Sequence, residues 1–120
     1  MTSVHLTERA LAALDEIERT TIRRWGAAVA SEYLTDLGAA LGRLQDNPGL
    51  LRERPEFPGR LRFYTVREHL LVCDVLADRV FVLAVWHGAM DLVSRLERLE
   101  PQLALEAELL AQQIERSDDP

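Results

Sequence analysis

Arg62, Tyr64, Arg67 and His87 are the side chains in this chain whose types and placement could do chemistry. A guanidinium fork holds an oxyanion, and it stays charged at any working pH. An imidazole gains or loses a proton near neutrality, and a phenol can donate one. Arg62 and Tyr64 are two residues apart, so on a strand they share one face. Arg67 falls on the opposite face of a regular strand, or at its turn. His87 stands where the last apolar run opens into a helix, and it is the most natural titrating group. Three further cations, Arg52, Arg54 and Arg60, sit in a loop just upstream.

Each of these residues also has a plainer reading. Arg52, Arg54 and Arg60 lie among Glu53 and Glu56, as in a solvated loop of mixed charge. Tyr64 can be a core aromatic with its hydroxyl at the rim. His87 can end a strand and bond to backbone. Trp25 and Trp86 read as packing residues. Arg62 is harder to set aside, because an Arg inside an apolar strand needs an acidic partner or a ligand, and Asp74 is a candidate partner.

The pattern around these residues predicts the elements that position them. Val4-His5-Leu6 alternates like a short edge strand. Thr7 before Glu8 is a helix N-cap with an acid in the first turn. Leu11, Leu14, Ile17, Ile22 and Trp25 then recur on one side of a helix, which Gly26 ends. Ala30, Tyr33, Leu34, Leu37, Leu41 and Leu44 mark a second helix, stopped by Asn47-Pro48-Gly49. Two amphipathic helices with so short a break form a hairpin with one shared apolar face.

Pro48, Gly49, Pro55, Pro58 and Gly59 make 48–60 a loop. The period then changes to that of strands: 61–67, 70–76 and 79–86, the last two apolar on both faces and so central in the sheet. Leu92, Leu96 and Leu99 suggest a helix. Pro101 suits the first turn of a new one, striped by Leu103, Ala107, Leu110 and Ile114. Ser117 to Pro120 reads as a frayed acidic end. The expected fold is α+β, in the order β-α-α-β-β-β-α-α: a small, mostly antiparallel sheet packed by an N-terminal helical hairpin, with C-terminal helices. Residues 1–100 form the main domain and 101–120 an acidic helical extension. The near-heptad stripe of that extension suits pairing with a second copy, or packing on its own domain.

Bulk properties narrow the class. A chain of 120 residues, 48% apolar, supports one domain with a compact core and no staples. The single cysteine, Cys73, lies in an apolar run and excludes an internal disulfide framework. No secretory signal is visible at the N-terminus and no apolar run is long enough to span a bilayer, so a reducing cytoplasm is expected. The net charge of −6 argues against a nucleic-acid partner. Its distribution is uneven: residues 43–67 hold six Arg against three acids, while 88–120 hold three Arg against eight acids.

Three phrases, taken in order, resemble toxins of the RelE/ParE superfamily of type II toxin–antitoxin systems. They are Arg24-Trp25-Gly26 between the helices; Leu44-Gln45-Asp46-Asn47-Pro48 with Arg52-Glu53-Arg54-Pro55-Glu56; and Arg79 through Asp91, containing Trp86-His87-Gly88. The likeness covers roughly residues 4–99. It implies a bacterial toxin neutralised by a cognate antitoxin, with no metal or organic cofactor. ParE-like members poison DNA gyrase; RelE-like members cut messenger RNA on the ribosome, for which Arg62 would hold phosphate and Tyr64 and His87 would move protons. Arg52, Arg54, Arg60 and Arg67 would then meet the target or the antitoxin. The chain departs from the pattern at Ala84 and Met90, where many relatives carry Arg or Lys. Lost positive charge there favours a ParE-like, protein-binding toxin, with the ribonuclease and a non-toxic interaction module as alternatives.

Overall fold

A computed structural model describes residues 2–54, 60–88 and 92–118, and gives the surroundings of side chains in the last stretch for 99 and 101–116. Strand β1 (Ser3–Leu6) leads into helices α1 (Glu8–Trp25) and α2 (Ala27–Asp46). A short 3-10 turn (Pro48–Leu50) follows, then strands β2 (Arg62–Val66), β3 (His69–Leu76) and β4 (Arg79–His87), and last helix α3 (Leu92–Asp118). The class is the α+β expected from the pattern.

Thr7 starts α1 as a capping residue, its hydroxyl accepting from the Ala10 N–H. The same hydroxyl faces the carbonyls of Val82 and Leu83 at 3.3 and 3.2 Å, which ties the helix start to the central strand. Gly26 ends α1 at φ 93° and ψ 168°, a conformation that only glycine adopts without strain. That single residue turns the chain back into α2.

The four strands lie in the order β1-β4-β3-β2. β2–β3 and β3–β4 are antiparallel, while β1 runs parallel to β4, so the sheet is mixed. One register shift between Val72 and Cys73 places Leu83 as an extra residue on β4. Leu83 and Ala84 consequently face the same side.

Both faces of the sheet are covered. On one, Ala10, Leu37, Ala40 and Leu44 of the hairpin meet Val66, Leu71, Cys73, Val80, Val82 and Val85. On the other, Leu103 and Ala107 of α3 are fully buried against Phe63, Phe81, Leu83 and Trp86. Burial pushes the Cys73 thiol up to about 12, so it is an inert core group.

The C-terminal region differs from the expectation. Pro101 lies inside one continuous helix instead of opening a second, and no break falls between residues 100 and 101. Tertiary packing outweighs the local penalty: Leu99, Leu103, Ala107, Leu110 and Ile114 form one stripe on the sheet. That stripe is therefore spent inside the molecule, and is not free to pair with a second copy. Polar clasps reinforce it. Arg9 donates to both carboxylate oxygens of Glu106, at 2.9 to 3.2 Å, holding that carboxyl below the usual range. The side chains of Leu92 and Leu96, and residues 119 and 120, lie outside the described set, as does Met90.

Three residues of the α1 stripe do not face the core. Leu11 and Ile22 are exposed, and Trp25 is 70% exposed, so Trp25 is not a packing residue. The helix outruns the sheet, and its last turn has nothing beneath it. Trp86, by contrast, is buried beneath α3 as expected.

Candidate functional site

Arg62, Tyr64 and Val66 alternate with Leu61 and Phe63 along β2. Phe63 faces α3, while Tyr64 and Val66 face the hairpin side. Arg62 is met by Glu53 at 3.0 Å, not by Asp74. The cross-strand register explains this: Arg62 pairs with Cys73, and Asp74 looks toward α3. The Tyr64 hydroxyl accepts from Arg43 Nε at 3.1 Å. His87 lies elsewhere. Val66 pairs with His69, and His69 with His87, so Arg62 stands four residues and two strands away. By strand geometry that is roughly 17 Å of backbone separation. The structure does not bring Arg62 and His87 together.

The loop cations are dispersed too. Arg52 donates to the Gly49 carbonyl at 2.9 Å and exchanges backbone hydrogen bonds with Phe63. Arg54 lies over the Phe63 ring. Arg60 is bound to Asp74, with Nε at 3.0 Å, and reaches Glu108 at 3.6 Å. Asp74 is the one buried carboxylate of the described core, and its Oδ1 has no partner. Arg67 occupies the β2–β3 turn at φ 52°, pairs with Asp36 and Glu32, and stacks on Tyr33 with 5.3 Å to the ring centre. Ala84, where the resemblance expects Arg, is buried in the cluster that α3 covers. A long cation there would collide with that helix.

A different set of residues converges. His69 and His87 stand side by side, edge to face, with ring centres 5.5 Å apart. Tyr33 comes in from α2 and shares a hydrogen bond with His69 Nδ1. Glu68 approaches His87 Nε2 at 3.6 Å. Desolvation, then the neighbouring His87, pull the His69 pKa down; desolvation pushes Tyr33 up. Both groups are then neutral at pH 7, and the direction of their hydrogen bond follows the imidazole tautomer.

These residues wall a notch of about 450 Å³ at the open end of the sheet. Trp25, Val29 and Ile17 supply its apolar lining, and Arg24 and Arg67 its cations. Sequence reading finds His87 and Arg67 but misses Tyr33 and His69. The missing signal is the strand register, which alone sets His69 against His87. Among the described residues no group of three His, Cys, Asp or Glu is arranged to hold a metal ion. No described helix is long and apolar enough to cross a membrane.

The structure is a helical hairpin on a four-stranded sheet, with a partly apolar notch at the helix junction. Known proteins define the class more narrowly. The family described as "ParE toxin of type II toxin-antitoxin system, parDE" matches residues 4–92. The chain is 35% identical to Toxin ParE of Escherichia coli over 97 residues, covering 80% of this chain and 94% of that protein. The solved structure described as "Chromosomal ParDE TA system from P. aeruginosa" superposes with a TM-score of 0.64 at 21% identity, over 72% of this chain and 96% of that one. At that identity the superposition speaks for the fold alone. The chain belongs to the ParE toxin family, within the RelE/ParE superfamily. It is a ParDE-type toxin of a toxin–antitoxin system, and membership implies a cognate antitoxin. Helix α3 starts at residue 92, where the family match ends.

Proposed function

We propose that this toxin arrests bacterial growth in the cytoplasm by binding a large cellular protein, DNA gyrase, and that its cognate antitoxin neutralises it. The observation that carries this reading is the dispersal of the nuclease-like residues. Arg62, Arg60 and Arg67 are each matched by carboxylates of the chain itself, and Arg62 is far from His87. A phosphodiester transition state needs convergent, unspent charge. Protein binding needs a shaped, partly apolar surface, and the notch supplies one. On this reading residues 1–100 carry the toxin's contacts and 101–120 brace the sheet. Arg52 and Arg54 are the loop cations offered to an acidic antitoxin.

The test is induced expression followed by two assays. Growth arrest, a DNA-damage response and loss of supercoiling by purified gyrase are the expected results, with all three reversed by the antitoxin. Rapid loss of messenger RNA with supercoiling intact would instead establish the ribosome-dependent ribonuclease.

A further inference from the structure

Of the apolar side chains left uncovered on the hairpin, Ile22, Trp25 and Val29 gather at the α1–α2 junction, while Leu11 stands apart near the start of α1. Trp25 and Val29 line the notch, and Ile22 lines a shallow depression on the other side of the same turn. Gly26 fixes the turn, so the indole projects from a rigid base. A large, exposed aromatic on an ordered element is the usual anchor of a protein interface.

The charges around the notch say what should accompany an apolar group there. Glu16 is matched by Arg19 at 3.1 Å and Arg23 at 3.7 Å. Glu68 lies 3.6 Å from the His87 imidazole, and Arg67 is matched by Asp36 and Glu32. Arg24 lines the notch and, among the described residues, is its arginine without a carboxylate partner. The complement of that guanidinium is a carboxylate.

A notch of about 450 Å³ admits one or two side chains, the contact that a loop of a folded partner makes.

We propose that the notch formed by Trp25, Val29, Tyr33 and His69, with Arg24 at its mouth, is where the toxin seats its protein target, taking an apolar side chain next to a carboxylate. This rests on the reading of the chain as a gyrase-directed toxin, and it names the surface which that reading leaves open. The site belongs wholly to the part of the chain shared with the family, and it owes nothing to α3.

The test uses the full-length protein, purified gyrase and relaxed plasmid. Trp25→Ala should raise the concentration for half-inhibition of supercoiling roughly thirtyfold, the scale of an aromatic anchor. Arg24→Glu should raise it about tenfold. Both residues are exposed, so melting temperatures should match the parent protein. Leu105→Ala, an exposed change on α3, should leave inhibition unaltered. Retained antitoxin binding by the two notch variants would support the assignment to the target. Parent-like inhibition by both variants overturns the notch alone. Equal loss of antitoxin binding reassigns it to the antitoxin and also overturns the proposal. Failure of the unaltered protein to inhibit gyrase overturns the gyrase reading, and this surface with it.

Discussion

Removing the Arg60 guanidinium would leave Asp74 buried with no counter-charge. The carboxylate is 1% exposed while Arg60 is half in solvent, so the pair is only partly screened. Arg60→Ala should therefore cost about 2 kcal/mol, less than breaking a fully buried pair. Thermal denaturation will show it, and an Arg60→Met, Asp74→Leu double change should recover most of the loss. His69 gives the second prediction at this scale. Its pKa is lowered in the folded protein, so the unfolded chain binds the proton more tightly. Stability should be full above the unfolded value of 6.5 and decline as pH falls below it. The groups facing His69 are Tyr33, His87, Glu68 and Arg67. Urea midpoints across that range should slope downward with acid, and His69→Phe should flatten the slope. Legibility at this scale is uneven. His87 is visible because it ends an apolar run. His69 and Tyr33 are not, because one opens a strand and the other sits in a helix stripe, and only the tertiary register joins them.

Among the elements, α3 shows where local propensity loses to packing. Pro101 argues for a break, yet the stripe from Leu99 to Ile114 finds one continuous apolar surface and the helix runs through. Leu103 is the deepest part of that contact, fully buried against the sheet. Leu103→Ala should destabilise by about 2–5 kcal/mol through the cavity it leaves, measured by chemical denaturation. An unchanged midpoint would mean that α3 is only loosely seated. Helix α1 teaches the opposite lesson. Its apolar period continues to Trp25, but the sheet does not extend that far, so periodicity assigns to the core a residue that faces solvent. The hairpin, the strands and their order of occurrence are all legible, because each rests on its own spacing of apolar residues and on Gly and Pro punctuation. The parallel pairing of β1 is not, since nothing in a four-residue strand names its neighbour.

For the molecule as a whole, the charge pattern has a structural meaning that composition alone does not show. The basic island at 43–67 touches the acidic helix after residue 100 through Arg60, which bridges Asp74 and Glu108, while Arg9, outside the island, clasps Glu106. Arg60 is thus withdrawn from any phosphate backbone. The Arg62→Ala, His87→Ala double change accordingly should leave growth arrest intact on induction. Loss of toxicity with the fold preserved would return the ribonuclease to first place.

The parallel pairing of β1 with β4 also imposes an order in time. Thr7 leans on carbonyls of Val82 and Leu83, and Leu6 pairs with Val82. The first strand made must therefore wait for the last. At roughly 5–20 residues per second, ribosomes need about 4–15 s to travel between them. During that interval the emerging chain has no closed sheet on which to dock α1. The toxin is thus assembled late in its own synthesis.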